Sequence, residues 1–186
     1  GNVTVTGGKA ATNSEGSTVI YSTGNITVKN LTGSAENSEI AVIEGKNSVT
    51  LEKVKLTGGT KNRRDEGSAS SAVMLYQSMS GDANRGVSTF TARNSELTSR
   101  SDGAFFYVTN TSAVINLTGN KLTNPNETLL LASGNESNRG WGKPGANGGN
   151  VTLHTAKQTL AGNVVSDSIS RINLKFGAGT NFTGAI

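Results

Sequence analysis

Ile40-Ala41-Val42-Ile43-Glu44-Gly45-Lys46-Asn47-Ser48-Val49-Thr50-Leu51-Glu52-Lys53-Val54-Lys55-Leu56-Thr57 holds three short apolar stretches separated by polar turn formers. Its middle unit, apolar-polar-apolar, also occurs at Val3-Thr4-Val5, Ile26-Thr27-Val28, Phe90-Thr91-Ala92, Ile115-Asn116-Leu117, Val151-Thr152-Leu153 and Ile172-Asn173-Leu174. Most steps between successive copies are nearly equal; those from Val49 to Phe90 and from Ile115 to Val151 are longer and carry insertions. A second apolar position follows at Leu56, Leu97, Leu122, Leu160 and Phe182. A third patch precedes the units at Val19 to Tyr21, Ile40 to Ile43, Val73 to Tyr76, Phe105 to Val108, Leu129 to Leu131 and Val164-Val165. Three short strands per repeat, separated by Gly, Asn, Ser and Lys, predict the coils of an all-β solenoid, a parallel β-helix. Inside each strand, alternation sends every second side chain into a lumen where it stacks on its equivalent one coil away. A β-sandwich is the competing architecture; recurrence of one unit with the same flanking order favours the solenoid.

Composition agrees. Gly, Asn, Ser and Thr fill nearly half of the 186 positions, aromatics only 5% and charged residues 16%. A narrow aliphatic lumen with polar turns needs no more, because each coil contacts only its neighbours. One domain is expected over residues 1–186. The chain opens at Gly1 without a leader-like segment and reads as part of a longer secreted protein. No apolar run is long enough to span a bilayer. The absence of Cys leaves the compartment open, while Asn-x-Ser/Thr tripeptides such as those at Asn25 and Asn150 suit a secreted protein without requiring one. Net charge is +4, from 17 basic and 13 acidic residues dispersed along the chain. This mild bias favours a polyanion, but no basic block with interleaved aromatics points to nucleic acid.

In a solenoid the insertions leave the core as loops, so function is sought there. One region runs from Gly58 to Ser71 and continues from Gln77 to Ser88; the other runs from Ala132 to Asn150. The second contains the only tryptophan, in Arg139-Gly140-Trp141-Gly142-Lys143. Trp141 could stack on a sugar ring while Arg139 and Lys143 meet carboxylates, or it could fold back and cover the side of the helix. Arg63, Arg64 and Arg85 could extend such a surface if they stack on one face; nearby acids argue for a mixed-charge exterior. Asp82 and Glu44 each follow a strand in a turn where carbonyls can complete an oxygen shell, which makes Ca²⁺ the candidate cofactor; a turn-stabilising hydrogen bond is the alternative for both. His154 is the single histidine, and with no Cys present no zinc site or nucleophile-His-acid set is legible.

The wording of Ile40 to Glu52, of Val73-Met74-Leu75-Tyr76-Gln77-Ser78-Met79-Ser80-Gly81-Asp82-Ala83, of Phe105 to Thr111, of Arg139-Gly140-Trp141-Gly142 and of Gly148-Gly149-Asn150-Val151-Thr152 resembles a family of secreted bacterial carbohydrate-binding domains. The resemblance runs from about Tyr21 to the C-terminus. It implies a right-handed parallel β-helix shaped like the pectate lyases, binding of polygalacturonate and cellulose, and Ca²⁺ without established lyase activity. Trp141, Tyr76, Gln77 and Asp82 match the family's wording. The leading expectation is a non-catalytic module, secreted or at the cell surface, that binds an acidic polysaccharide or acts as an adhesin. End-to-end homo-assembly into a filament or surface layer is the structural alternative, a polysaccharide lyase the third, and ice binding through Thr-x-Thr a fourth.

Overall fold

A computed structural model describes residues 1–136, 138 and 140–186. The chain winds as a parallel β-helix with three faces. Face A stacks the seven strands Asn2–Thr6, Asn25–Lys29, Ser48–Glu52, Val87–Arg93, Ser112–Thr118, Asn150–Ala156 and Arg171–Phe176. Face B follows in each coil with a shorter strand, from Lys9–Thr12 to Asn181–Thr183, and face C with a third, from Ile20–Ser22 to Asn163–Ser166. Every ladder among the described residues is parallel, which excludes the sandwich. The recurring units all lie on face A.

Two columns of that face fill the lumen. One runs Val3, Ile26, Val49, Phe90, Ile115, Leu153 and Leu174; the other runs Val5, Val28, Leu51, Ala92, Leu117, Thr155 and Phe176. Val49, Leu51, Phe90 and Ile115 are fully buried. One register differs from the sequence reading: Ile115 pairs with Leu153 and not with Val151. Such a slip, by one full alternation of the strand, keeps the same side chains inside, and Val151, Leu153 and Thr155 are all buried. Thr155 disguises the unit by placing a hydroxyl where the other coils hold an apolar side chain; its Oγ1 shares a 2.9 Å hydrogen bond with Thr180.

The corner from face A to face B explains the Asn, Lys and Gly punctuation. Asn30, Lys53, Asn94 and Lys157 hold φ at 53°, 52°, 49° and 48°, and Gly119 takes the same place at 67°. A single left-handed residue bends the chain sharply without a helix. The next residue points into the corner: Leu31, Val54, Ser95, Asn120 and Gln158 are all buried. The last three form a ladder across coils. Asn120 Oδ1 accepts the Ser95 N–H at 3.0 Å, Gln158 Oε1 accepts the Asn120 N–H at 2.9 Å, and Asn120 Nδ2 donates to the Ala92 carbonyl at 2.8 Å.

Face C differs from the other two. Its longer strands read as continuous apolar runs, and Ser71–Tyr76 and Ala104–Thr109 are buried at every position. Side chains on both surfaces of this sheet are therefore covered. The inner surface packs on the lumen; the outer one carries Val42, Met74, Tyr76, Tyr107 and Leu131, on which Ala69 and Trp141 from the insertions rest.

Candidate functional site

Two insertions leave the helix at the corner from face C to face A. Residues 77–86 follow Ser71–Tyr76, and residues 133–149 follow Thr128–Ala132 two coils further on. Asn110, in the short corner between them, joins the two: its Nδ2 donates to the Gln77 carbonyl at 2.7 Å, and its N–H donates to the Asn147 carbonyl at 2.8 Å. The buried amides of Asn135 and Asn147 both donate to the Trp141 carbonyl at 3.1 Å, which ties down the long loop. Gly142, at φ 77°, packs so tightly on the Asn110 amide that a Cβ would overlap it. Gly142→Ala is expected to lift the loop tip and to destabilise the fold by about 1–3 kcal/mol, measured by thermal unfolding.

A cleft of about 870 Å³ lies between the loops, and Gln77, Met79, Arg85, Val87, Asn110 and Lys143 are among its lining residues. None of its described lining residues is acidic. Neither Arg85 nor Lys143 forms an ion pair among the described residues; Arg85 Nη2 lies 3.3 Å from the Met79 sulfur. Met79 and Val87 are 42% and 46% exposed and offer apolar surface between the cations. The floor of the cleft includes the first residues of three face A strands, Val87, Ser112 and Asn150, paired one to the next, and Arg171 pairs with Asn150 beyond it. A smaller hollow shares Gly148 and Asn150 with the cleft and ends at Arg171. The groove therefore follows the helix axis, with coils about 4.8 Å apart.

The remaining expected site residues fall elsewhere. Lys143 lines the cationic cleft, whereas Trp141 lines a separate, smaller slot. It packs on face C, its ring 4.8 Å from that of Tyr76 at 62°. Arg63 lines the same small slot as Trp141 and is bonded to Glu66 at 2.8 Å. Arg64 lines a third hollow together with Asp65, Asp102, Glu127 and Glu136. Arg63, Arg64 and Arg85 line three different hollows, because the first two precede Ser71–Tyr76 and Arg85 follows it. Arg139 lies outside the described residues. His154 faces outward on face A between Asn116 and Lys175.

Glu44 and Asp82 do come together, joined by hydroxyls. Glu44 is buried; Tyr21 Oη donates to its Oε2 at 2.6 Å, Ser78 Oγ donates to Oε1, and Ser80 Oγ lies 3.3 Å from Oε1 and 3.0 Å from Asp82 Oδ2. These contacts pin the 77–86 loop to the sheet. They give both residues the turn-stabilising hydrogen bonds expected as the alternative to an oxygen shell. Glu44→Gln is expected to cost about 1–2 kcal/mol in denaturant unfolding and to speed hydrogen exchange in residues 77–86, since the hydroxyls lose an ionic acceptor.

Burial, and next the bond to Glu44, pushes the Tyr21 hydroxyl from its ordinary 10.0 up to about 12. Tyr76 is raised further, burial again being the first cause. A raised pKa means that the folded state holds the proton more tightly. The Tyr21 contribution to stability is complete below pH 10.0 and lost as pH climbs through about 12. The melting temperature is expected to fall more steeply over that window in the native chain than in Tyr21→Phe.

Sequence alone gives no reason to place Asn110 or Tyr21 at a site. Arg171 carries the one usable signal, since it opens a face A strand in register with Asn150. No protein-family model matches the chain, and neither curated proteins nor solved structures yield a match.

Proposed function

We propose that the chain is a non-catalytic module that binds an acidic polysaccharide along the groove at the corner from face C to face A, outside the cell or on its surface. The observation that carries this reading is the presence of Arg85 and Lys143 in one cleft without an acidic residue among its described lining. Carboxylates of a polymer would meet these cations, Arg85 in bidentate fashion, while Met79 and Val87 receive the apolar faces of the sugar rings. Arg171 prolongs the line at the far end of the groove. The resemblance to secreted carbohydrate-binding domains supports the same ligand class. Affinity electrophoresis against a series of acidic oligosaccharides tests it: retardation should grow with chain length until the groove is filled, then level off. Length-independent retardation, or none, would remove the groove from the account.

A further inference from the structure

The corner from face A to face B carries a row of cations on the opposite edge of face A from the groove. Lys53 and Lys157 are left-handed corner residues, Arg93 closes a face A strand, and Lys9 and Lys121 open face B strands. All five are exposed, and none forms an ion pair among the described residues. Lys29 and Lys55 belong to the same corner, where Glu52 and Glu96 hold them at 3.5 and 3.8 Å. The ladders fix the alignment. Arg93 pairs with Glu52 and that residue with Lys29, while Lys9, Thr32, Lys55, Glu96 and Lys121 follow one another across face B. Each of the first six coils therefore places a cation in the row, which runs for about 24 Å at a rise of about 4.8 Å per coil. Its seven cations against two carboxylates exceed the net +4 of the whole chain. Face A is seven residues wide at Val87–Arg93, which sets the row about 20 Å from the groove.

From this arrangement we infer that the row is a docking line for a linear sulfated glycan. A single file of charges on a convex edge matches a polymer laid along the helix axis. A bilayer would instead meet a face and take up apolar side chains, whereas the outward neighbours of the row on face B are the hydroxyls of Ser34, Thr57, Thr98 and Thr123. A nucleic acid strand would call for aromatic rings to stack its bases, and no aromatic side chain stands in the row over its six coils. Four of the five unpaired cations are lysines. Their ammonium groups are point charges on flexible stems, which meet the three oxygens of a sulfate ester without the planar fork that a carboxylate rewards in arginine. A single exposed pair of this kind contributes little, so affinity accumulates along a densely charged polymer that covers several coils. A short carboxylate oligosaccharide of the kind assigned to the groove gains little here. The row stands or falls independently of that reading.

Fluorescently labelled dextran sulfate is titrated with the native chain and with a variant carrying Lys53→Gln, Lys121→Gln and Lys157→Gln, at several salt concentrations. Thermal unfolding checks that the variant keeps its fold, as expected for exposed side chains without ion-pair partners among the described residues. The native chain should bind dextran sulfate and not unsulfated dextran, and the logarithm of its affinity should fall linearly with the logarithm of salt concentration. Each cation removed should take about 0.7–0.9 from that slope, so the triple variant should show a slope shallower by about 2 to 3. In dilute salt it should bind at least about tenfold more weakly. No binding of dextran sulfate, equal binding of unsulfated dextran, or the native affinity and slope in the triple variant would overturn the inference. So would tighter binding of duplex DNA, or of vesicles containing phosphatidylserine, than of dextran sulfate at equal anion concentration, since the row would then serve a different partner.

Discussion

Replacing Arg85 and Lys143 together by alanine is expected to weaken binding of an acidic oligosaccharide by about 100-fold, a loss of roughly 3 kcal/mol, with little change in melting temperature. The size follows from two charge-assisted contacts in a cleft with no acidic residue among its described lining. Stability should hold because neither cation has an ion-pair partner among the described residues, so no buried acid is stranded by their removal. The two single variants should each account for part of the loss, with Arg85→Ala the larger if the contact is bidentate. Added salt should weaken the native chain and leave the double variant nearly unaffected, since screening acts on the charges removed. Titration calorimetry at two ionic strengths checks all three statements. Unchanged affinity in the double variant would place the ligand elsewhere.

The largest effect on folding is expected from Asn120→Ala. The Asn120 side chain accepts the Ser95 N–H and donates to the Ala92 carbonyl, and its Nδ2 lies 3.1 Å from Gln158 Oε1. Truncation leaves a buried backbone donor and a buried carbonyl without these partners and opens a small void in the corner. Two unsatisfied groups at about 1–3 kcal/mol each predict a destabilisation of roughly 3 kcal/mol in denaturant unfolding. Asn120→Asp tests the mechanism, because it retains an acceptor for Ser95 and loses the donor to Ala92. It should also cost stability, through a buried charge whose neighbour Gln158 Oε1 cannot donate. If Asn120→Ala cost only a few tenths of a kcal/mol, the corner ladder would be a by-product of packing and not a support of the coil.

The coil is legible in the sequence for a physical reason. Each face A strand must place two successive inward residues on their equivalents one turn away, and that requirement recurs at nearly constant spacing. The slip at Val151 is invisible at that level because it leaves the inward set unchanged, while Thr155 hides the true partner of Leu117. Face C carries a signal of its own. Strands with one wet surface alternate, but Val73-Met74-Leu75-Tyr76 and Phe105-Phe106-Tyr107-Val108 do not, so something has to cover their outer side chains. Only the insertions have spare chain for that work. Trp141, read in isolation as an aromatic in a glycine-rich loop, belongs to that cover.

The site is harder to read because it depends on which insertions share a corner. Arg63, Arg64 and Arg85 are close in sequence, yet a strand of face C separates the first two from the third. Arg85 and Lys143 are far apart in sequence and line one cleft, because loops leaving the same corner two coils apart are neighbours in space. Glu44 and Asp82 illustrate the same dependence. The sequence pairs them as turn residues; the structure makes Glu44 the last residue of the face C strand Ala41–Glu44 and joins it to Asp82 through the hydroxyls of Ser78 and Ser80. What their spacing does not show is that these hydroxyls, together with that of Tyr21, take up the acceptor positions of the buried carboxylate.

Titration of the native chain with a matched pair of ligands tests the central claim most directly: an acidic oligosaccharide and the same oligosaccharide after reduction of its carboxyl groups to alcohols. The two share linkage and length and differ only in the group at the carboxyl position, charged in one and a neutral alcohol in the other. Binding along a groove lined by Arg85, Lys143 and Arg171 predicts a saturable heat for the acidic form, weakened by salt, and affinity at least about tenfold lower for the reduced form. Equal affinity for both forms, or binding of neither, would contradict recognition of an acidic polysaccharide by this groove.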